Sequence, residues 1–220
     1  MLYLVPTPIG NMKDITLRAL EILKDVDYIL AEDTRVTGKL LAYHEIKQTL
    51  RSFHAHNEHG KVDEVIRDLK SGSSVALVSD AGTPGISDPG FLLARACHEN
   101  DIEFQCLPGA VALIPALVNS GFPSERFCFE GFLPHKKGRK TRIEKFIDED
   151  RTIILYESTH RILKTIKQLG EILGEDRHLA VSRELTKLHE ENIRGTASEL
   201  LEYYETHSIK GEFVLLISGK

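Results

Sequence analysis

The sequence contains few cysteines, and their spacing does not suggest a metal site. Only three occur in 220 residues, Cys97, Cys106 and Cys128, and none belongs to a Cys-x-x-Cys pair. Isolated cysteines in odd number argue against a disulfide framework, so we expect reduced thiols in a cytoplasmic protein. The sequence also lacks an apolar run of 18 residues, which argues against a transmembrane helix, and it starts without a signal-peptide pattern.

Two common nucleotide-binding patterns are also missing. No Gly-x-x-x-x-Gly-Lys-Ser/Thr sequence occurs, and no Gly-x-Gly-x-x-Gly follows the first predicted strand. These absences argue against a P-loop protein, an ordinary dinucleotide-binding domain and the usual Rossmann-type methyltransferase. The net charge of −5 argues against a protein that is basic throughout, but it does not exclude a local basic patch.

The first half of the sequence repeats the order strand, loop, helix. Short apolar runs predict strands near 2–5, 28–31, 49–53, 75–79 and 103–107. Helical patterns fall near 11–23, 37–42, 62–69, 91–98 and 110–118, with Asn11 capping the first and Pro115 interrupting the last. This alternation predicts a mainly parallel sheet covered by helices on both faces.

The pattern breaks near residues 119–124, where we place a domain boundary. The predicted domains are therefore residues 1–121 and 122–220. The second is expected to contain strands near 127–130, 152–156, 179–182 and 213–218, helices near 138–147, 160–169 and 197–207, and a turn or hairpin at 190–195. The predicted fold class is α/β, with two domains that each contain a mixed, mainly parallel sheet flanked by helices.

Polar or Gly/Pro-rich loops follow four strands of the first domain, at 6–10, 32–35, 80–90 and 108–109. Because the carboxyl ends of parallel strands share one edge, these loops are expected to meet where such sheets hold ligands. In the longest loop, glycines allow close approach to a ligand and Asp80 supplies an acceptor. Asp88 and Pro89 are predicted to start the next helix. The alternative is a long turn without a ligand, although turns in compact domains are usually shorter.

Two further polar segments of the first domain have two interpretations each. Glu32, Asp33 and Arg35 form either a capped helix start with a surface ion pair or a pocket wall that orients a polar substrate. Three histidines at 54, 56 and 59 suggest a metal site or, more simply, a polar loop, which is favoured because no fourth ligand accompanies them. The neighbouring Asn57 and Glu58 are better candidates for substrate contact.

The second domain contains the strongest basic run, at residues 135–142. It includes Lys136, Lys137, Arg139, Lys140 and Arg142. Such a run is either a solvated first turn of a helix or a surface that neutralises nucleic-acid phosphates. The strand ends at 156–161 and 182–187 are caps and salt bridges, or ligand contacts if they face a cleft.

Taken together, eight segments resemble the tetrapyrrole methylase superfamily. They are VPTPIGN at 5–11, AEDTR at 31–35, HNE at 56–58, VSDAGTP at 78–84, LPG at 107–109, FEGFLP at 129–134, YESTHR at 156–161 and RELTK at 183–187. Within this superfamily, the eight segments in this order resemble those of the branch that methylates the 2′-hydroxyl of a cytidine in 16S ribosomal RNA of the small subunit. The resemblance spans essentially the whole sequence.

The resemblance implies two α/β domains with S-adenosylmethionine in the cleft between them, usually in a homodimer. Carried over to this sequence, the cofactor-binding residues are Pro8, Gly10, Asp80, Gly82, Thr83, Ile86, Asp88, Val111, Ala112, Tyr156 and Arg183. Glu32, Asp33 and Arg35 would face the acceptor as catalytic residues. The RNA-binding candidates are Asn57, Glu58, Lys136, Lys137, Arg139, Lys140 and Arg142, and no metal is expected.

The chemistry is compatible with this resemblance. A sulfonium methyl donor reacts by in-line displacement, which needs alignment more than a metal. A ribose hydroxyl needs a base, and the sequence leaves Glu32, Asp33, Glu58, Asp80 and Asp88 open as candidates. The sequence leaves two alternative functions open. One is a methylase acting on a tetrapyrrole or another small molecule, and the other is a non-catalytic RNA- or nucleotide-binding protein.

Overall fold

The computed structural model describes all 220 residues and divides them into two compact units, Met1–Val111 and Ala112–Lys220. The first unit contains β1 (Leu2–Leu4), a 3-10 helix (Met12–Asp14), α1 (Leu17–Asp25), β2 (Tyr28–Ala31), α2 (Thr34–Tyr43), β3 (Leu50–Ser52), α3 (Glu58–Lys70), β4 (Val75–Val78), α4 (Phe91–Glu99) and β5 (Phe104–Cys106). Its five strands are all parallel, in the order β3-β2-β4-β1-β5.

Helices cover both faces of this first sheet. Successive strand residues point to opposite faces, so Leu30 lies in one apolar cluster and Ile29 in the other. The first cluster includes Val65 of α3 and Leu93 of α4, whereas the second includes residues of α1 and α2. The predicted parallel sheet is therefore confirmed, and the carboxyl ends of all five strands lie along one edge.

Of two predicted helix starts in this unit, one is confirmed in part and one is wrong. Asn11 is a helix cap, because its side chain accepts from Lys13 N at 3.1 Å, but it caps only the short 3-10 helix. The helix expected from Asn11 onward is broken after the 3-10 helix, and α1 has its own cap because the Thr16 hydroxyl accepts from Ala19 N at 3.1 Å. Asp88 does not cap the next helix, because α4 begins only at Phe91 after Gly90. Gly90 has a φ of 134°, and a Cβ there would lie 2.9 Å from the Leu77 side chain.

The second unit contains α5 (Leu113–Ser120), β6 (Phe127–Phe132), α6 (Arg139–Glu144), β7 (Thr152–Ser158), α7 (Ile162–Leu173), β8 (Leu179–Arg183), β9 (Glu191–Gly195), α8 (Ala197–Thr206) and β10 (Glu212–Ile217). The strand order is β6-β7-β10-β8-β9. Only β6 and β7 pair in parallel, and the other three pairs are antiparallel. The α/β class is confirmed, with the difference that this mixed sheet is mainly antiparallel. The connection between β8 and β9 is a short hairpin, which cannot make a parallel crossover.

The two units divide ten residues earlier than the predicted boundary after residue 121. The reason is α5, whose buried Leu113, Ala116 and Leu117 belong to a helix that packs against β8, β9 and β10. The predicted interruption at Pro115 is wrong. Pro115 is the third residue of α5, where its missing N–H would have no intrahelical acceptor. None of the α-helices, of which the longest has 13 residues, has the length and apolar character of a membrane span.

Candidate functional site

Hydrogen bonds join the loops that follow β1, β4 and β5. Thr7 and Gly82 exchange two backbone hydrogen bonds of 2.9 Å, and the buried Thr7 hydroxyl donates to Ser79 O at 3.0 Å. On the other side, the Thr83 hydroxyl donates to Ala110 O at 3.0 Å. We call these three loops, residues 6–10, 79–90 and 107–110, the strand-end rim. These hydrogen bonds fix the three loops of the rim to one another.

Two glycines let the backbones of the rim approach one another closely. Gly82 has a φ of 84°, a conformation that favours glycine, and a Cβ there would lie 3.5 Å from Ile9. A Cβ at Gly109 would lie 2.7 Å from the Pro6 ring. The rim therefore presents backbone together with Pro8, Gly10 and the exposed apolar side chain of Ile86.

Three carboxylates lie at the same edge of the sheet, and none of them forms an ion pair. They are Glu32 after β2, and Asp80 and Asp88 after β4. Asp80 Oδ1 accepts from Asp33 N at 2.9 Å, and Asp80 N lies 3.5 Å from Glu32 Oε2. Because β2 and β4 are parallel neighbours, their carboxyl ends bring these acids together.

Burial and mutual repulsion favour the protonated form of these acids. Burial, with the nearby charges of Glu32 and Asp80, raises the pKa of Asp88 from 3.8 to about 7. Burial also raises the pKa of Glu32 and of Asp80, and each has a neighbouring carboxylate that acts in the same direction. A carboxylate with a pKa near neutrality can exchange a proton at physiological pH, which is what a general base requires.

Asp33 and Arg35, by contrast, form a capped helix start with a surface ion pair. Asp33 Oδ1 accepts from Arg35 N at 2.8 Å, and the Arg35 Nη2 lies 2.6 Å from Asp33 Oδ2. The Arg35 side chain is 87% exposed. Its hydrogen bonds lower the pKa of Asp33 to about 2, so Asp33 is a weaker base than its neighbours. Of the two interpretations of this segment, Asp33 and Arg35 therefore fit the capped helix start with a surface ion pair.

Asn57 and Glu58, predicted as RNA contacts, make hydrogen bonds inside the first unit. The Asn57 Oδ1 accepts from His54 N at 2.8 Å, while its amide nitrogen lies 3.2 Å from His54 Nε2. Glu58 is buried, and its Oε1 accepts from Gly90 N at 3.0 Å and Leu92 N at 3.2 Å. Glu58 therefore supplies the N-terminal cap of α4, which Asp88 was expected to provide. The structure contains no group of three or more residues arranged to hold a metal ion.

The two predicted cofactor contacts of the second unit, Tyr156 and Arg183, differ from each other in their surroundings. The Tyr156 ring lies between Phe129 and Phe132, with centroid distances of 4.9 and 5.8 Å. Arg183 is buried, lies 3.4 Å from Glu191 and donates to Lys210 O at 3.1 Å. Its guanidinium is thus held within the sheet. Val111 and Ala112 lie at the point where the two units divide, just before α5, and both are half-buried.

The basic run separates into one buried and several exposed side chains. Lys136, Lys137, Lys140 and Arg142 are exposed. Arg139 is only 5% exposed, and it donates to Gln168 Oε1 at 2.8 Å and Thr165 Oγ1 at 2.5 Å. Its guanidinium has no access to an RNA phosphate, because it is occupied inside the unit.

Arg139 is buried beside the carboxylate of Glu157, a partner that the sequence analysis missed. Glu157 is buried and lies 2.7 Å from Arg161 and 3.6 Å from Arg139. Thr165 donates to the same carboxylate at 2.7 Å. We call Glu157, Arg139, Arg161 and Thr165 the Glu157 network. The i, i+4 spacing of Glu157 and Arg161 was a signal for their ion pair, but nothing in the sequence indicated Arg139 as a partner.

Comparison with known proteins identifies the family. Residues 1–201 match the model of the Tetrapyrrole (Corrin/Porphyrin) Methylases. The chain belongs to this family. A relative from Synechocystis, named Ribosomal RNA small subunit methyltransferase I, is 52% identical over 220 residues, which is all of this chain and 79% of the relative. The protein of the same name from Thermotoga maritima is 46% identical over 219 residues and is covered to 98% of its length.

Solved structures of family members share the fold at low sequence identity. Cobalt precorrin-4 methyltransferase, a cobalamin biosynthetic enzyme, aligns with a TM-score of 0.69 at 18% identity, covering 99% of this chain and 94% of that one. Uroporphyrin-III C-methyltransferase from Thermus thermophilus aligns with a TM-score of 0.67 at 21% identity, covering 99% and 93%. The family and the fold expected from the eight sequence segments are therefore confirmed.

Proposed function

We propose that this methylase transfers the methyl group of S-adenosylmethionine to the 2′-hydroxyl of a cytidine in small-subunit ribosomal RNA. The observation that carries the proposal is the match over the whole chain, at 46% to 52% identity, to proteins named for small-subunit ribosomal RNA. Fold neighbours named for tetrapyrrole substrates are only 18% and 21% identical, so they support the fold alone.

The strand-end rim fits a cationic methyl donor. S-adenosylmethionine supplies an activated methyl group on a positively charged sulfur. Glu32, Asp80 and Asp88 provide negative charge without a cation of their own, and opposite charges attract strongly where water is partly excluded. Gly82 and Thr83 bring backbone close to the same edge. The other predicted contacts, Pro8, Gly10, Ile86, Val111, Ala112, Tyr156 and Arg183, remain predictions.

The base that accepts the ribose proton is best sought among the same three carboxylates. Glu58 is occupied as a helix cap, and the pKa of Asp33 lies at about 2. Asp88 has the pKa closest to neutrality, at about 7, and Glu32 has only a long hydrogen bond of 3.5 Å. A base works best when its pKa lies near the working pH. Arg35 is exposed on the neighbouring helix and would contact an acceptor phosphate rather than the reacting atoms.

The direct test is transfer of a tritiated methyl group to small subunits that lack the modification, followed by mapping of the labelled nucleotide. We expect labelled cytidine with the methyl group on its ribose. Label on a tetrapyrrole but not on RNA would favour the small-molecule alternative. RNA retention without heat on titration with S-adenosylmethionine would favour a non-catalytic binding protein.

A matched pair of variants tests the donor site. Asp80→Asn keeps an oxygen that can accept from Asp33 N but removes the charge, whereas Asp80→Ala removes both. We expect both variants to bind S-adenosylmethionine about tenfold or more weakly, because loss of a close opposite charge costs roughly 1–3 kcal/mol. Unchanged affinity in Asp80→Asn, measured by calorimetry, would contradict the electrostatic part of the assignment.

The homodimer and the cytoplasmic location expected from the resemblance also belong to this proposal. A second copy of the chain is the partner, and the small subunit or its RNA is the substrate. Light scattering on purified protein tests the first expectation, with a mass twice the 24.7 kDa of one chain as the expected result. Fractionation of cells that produce the protein tests the second.

A further inference from the structure

An open groove lies between the end of β6 and α6 in the second unit. Its volume is about 400 Å³, within the range of sites that hold small ligands. The lining residues are Glu130, Phe132, Leu133, Pro134, Gly138, Thr141, Arg142 and Lys145. The groove therefore combines an apolar wall with charged side chains, and it borders the exposed basic run.

The apolar wall is held in an exposed position by the local backbone. Phe132 is the last residue of β6 and remains 51% exposed. The pairing of β6 with β7 shifts register between Phe129 and Gly131, and such bulges redirect the side chains that follow. The rings of Phe132 and Tyr156 meet edge to face with centroids 5.8 Å apart, so about half of Phe132 stays accessible to solvent. An exposed aromatic ring of this kind can stack on a planar ligand.

The Glu157 network fixes the same wall from behind. Arg161 Nη1 donates to Leu133 O at 3.0 Å, and Arg139 Nη1 donates to Pro134 O at 3.3 Å. Both guanidinium groups are positioned by the buried Glu157 carboxylate. Two consecutive carbonyl groups of the wall are therefore tied to a buried ion cluster. The groove is a rigid feature rather than a consequence of a loose loop.

The charged side of the groove carries a carboxylate oxygen and ammonium groups that have no partner within the protein. Arg142 binds Glu130 through Glu130 Oε2 alone, so the second carboxylate oxygen, Oε1, has no partner. Lys145 is exposed and forms no ion pair, and Lys136 and Lys137 next to the groove also lack acidic partners. Three unpaired ammonium groups beside an aromatic wall match a ligand that carries both phosphates and flat rings.

We propose that the groove binds one unpaired nucleotide of the RNA substrate. This inference rests on the proposed function. The base stacks on Phe132 and Pro134, while Lys145 and the neighbouring lysines contact phosphates. Glu130 Oε1 accepts a hydrogen bond from an exocyclic amino group, which cytosine carries and uracil lacks. Phe132 contacts Tyr156, so the bound nucleotide lies one side chain from a predicted donor contact.

Variants of Phe132 and Lys145 test the proposal in the full chain. We expect Phe132→Ala to raise the KM for the small-subunit substrate about tenfold, and Phe132→Trp to keep it within about threefold, because stacking tolerates a larger ring. Lys145→Ala should raise the KM about threefold and lower the salt dependence of RNA binding. Tyr43→Ala is the matched control, because Tyr43 is a 57% exposed aromatic residue on α2 of the first unit.

The outcomes separate this inference from the proposed function. If wild-type protein methylates the RNA and neither Phe132→Ala nor Lys145→Ala changes KM, the groove does not bind the substrate. If wild-type protein binds S-adenosylmethionine but methylates no RNA, the proposed function fails, and the crosslinking measurement alone decides whether the groove binds RNA. Crosslinking of wild-type protein to RNA containing 5-iodocytidine gives a second measurement that does not depend on folding of a variant. A crosslinked peptide containing Phe132 supports the groove, and crosslinks confined to the first unit would contradict it.

Discussion

A buried carboxylate of the second unit, Glu157, and a half-buried carboxylate of the first, Asp88, have opposite surroundings. In the second unit, Glu157 is surrounded by two guanidinium groups and a hydroxyl. In the first unit, Asp88 lies beside other acids, and its pKa rises to about 7. A buried charge that is fully paired serves the structure, whereas a partly buried charge without a partner costs stability and is typical of functional sites. The presence or absence of cationic partners therefore distinguishes the structural role of Glu157 in the second unit from the proposed donor-site role of Asp88 in the first.

The largest expected effect comes from breaking the paired cluster. Glu157→Gln leaves the buried Arg139 and the half-buried Arg161 without their counter-charge, and we expect it to lower the free energy of unfolding by roughly 3–5 kcal/mol. Urea denaturation followed by circular dichroism measures the change. Glu171→Gln is the matched control, because Glu171 is 60% exposed in an ion pair of 4.0 Å with Lys167. Equal stability of the two variants would show that the cluster is not the scaffold we describe.

The next largest effect is expected at Glu58, a buried carboxylate that caps a helix rather than pairing with a cation. Glu58→Ala leaves Gly90 N and Leu92 N without an acceptor, which should cost about 2 kcal/mol of stability. Glu58→Gln keeps an oxygen acceptor and should lose less than half of that amount. Glu64→Ala, an exposed change on the same helix, should lie within about 0.5 kcal/mol of wild type. A larger loss in Glu58→Gln than in Glu58→Ala would contradict the capping role.

At Asp88, by contrast, removal of the carboxylate charge is expected to raise the stability of the protein. The pKa of Asp88 is raised on folding from 3.8 to about 7, so the folded state holds a proton that the unfolded state has released between these values. Stability attributable to this group therefore falls as pH rises from about 4 to 7, and the loss is complete above pH 7. Asp88→Asn should stabilise the protein by about 1 kcal/mol at pH 8, an amount reduced by partial exposure. The gain should disappear near pH 4.

Thermal unfolding of Asp88→Asn at pH 4, 6 and 8 measures this dependence, with the exposed change Asp63→Asn as its control. The same variant should bind S-adenosylmethionine more weakly at pH 8, because the carboxylate that favours the cation is gone. A variant that is less stable than wild type at pH 8 would mean that Asp88 has a stabilising partner.

The strand-end rim could be predicted from sequence because it depends on local signals. Apolar runs ending in Gly/Pro loops specify parallel strands, and parallel strands bring their carboxyl ends to one edge. Gly82 and Asp80 were placed correctly at that edge by this reasoning alone. The hydrogen bonds from Thr7 to Gly82 and from Thr83 to Ala110 add rigidity, but they follow the same order of strands.

The roles of Glu58 and Arg139 could not be predicted, because their partners are distant in sequence. Glu58 caps a helix that begins 33 residues later, at Phe91, and Arg139 reaches Thr165 on α7. Within the sequence, Arg139 is one of several basic residues, and nothing local distinguishes it from Lys137 or Lys140. Burial of a charged side chain is decided by the packing of other elements, which local patterns do not encode.

The smallest effect on stability, and the clearest effect on binding, is expected where the basic run is exposed. Lys136→Ala with Lys137→Ala removes two unpaired charges, so the slope of log affinity for single-stranded RNA against log salt should fall by about 1.4. Stability should stay within about 0.5 kcal/mol of wild type. Arg139→Lys should instead lower stability and leave the salt slope of RNA binding unchanged. The buried guanidinium contacts Gln168 and Thr165 at the same time, and an ammonium group cannot reproduce this geometry. If Arg139→Lys lowered the salt slope while leaving stability unchanged, the division between scaffold and RNA surface in the second unit would be wrong.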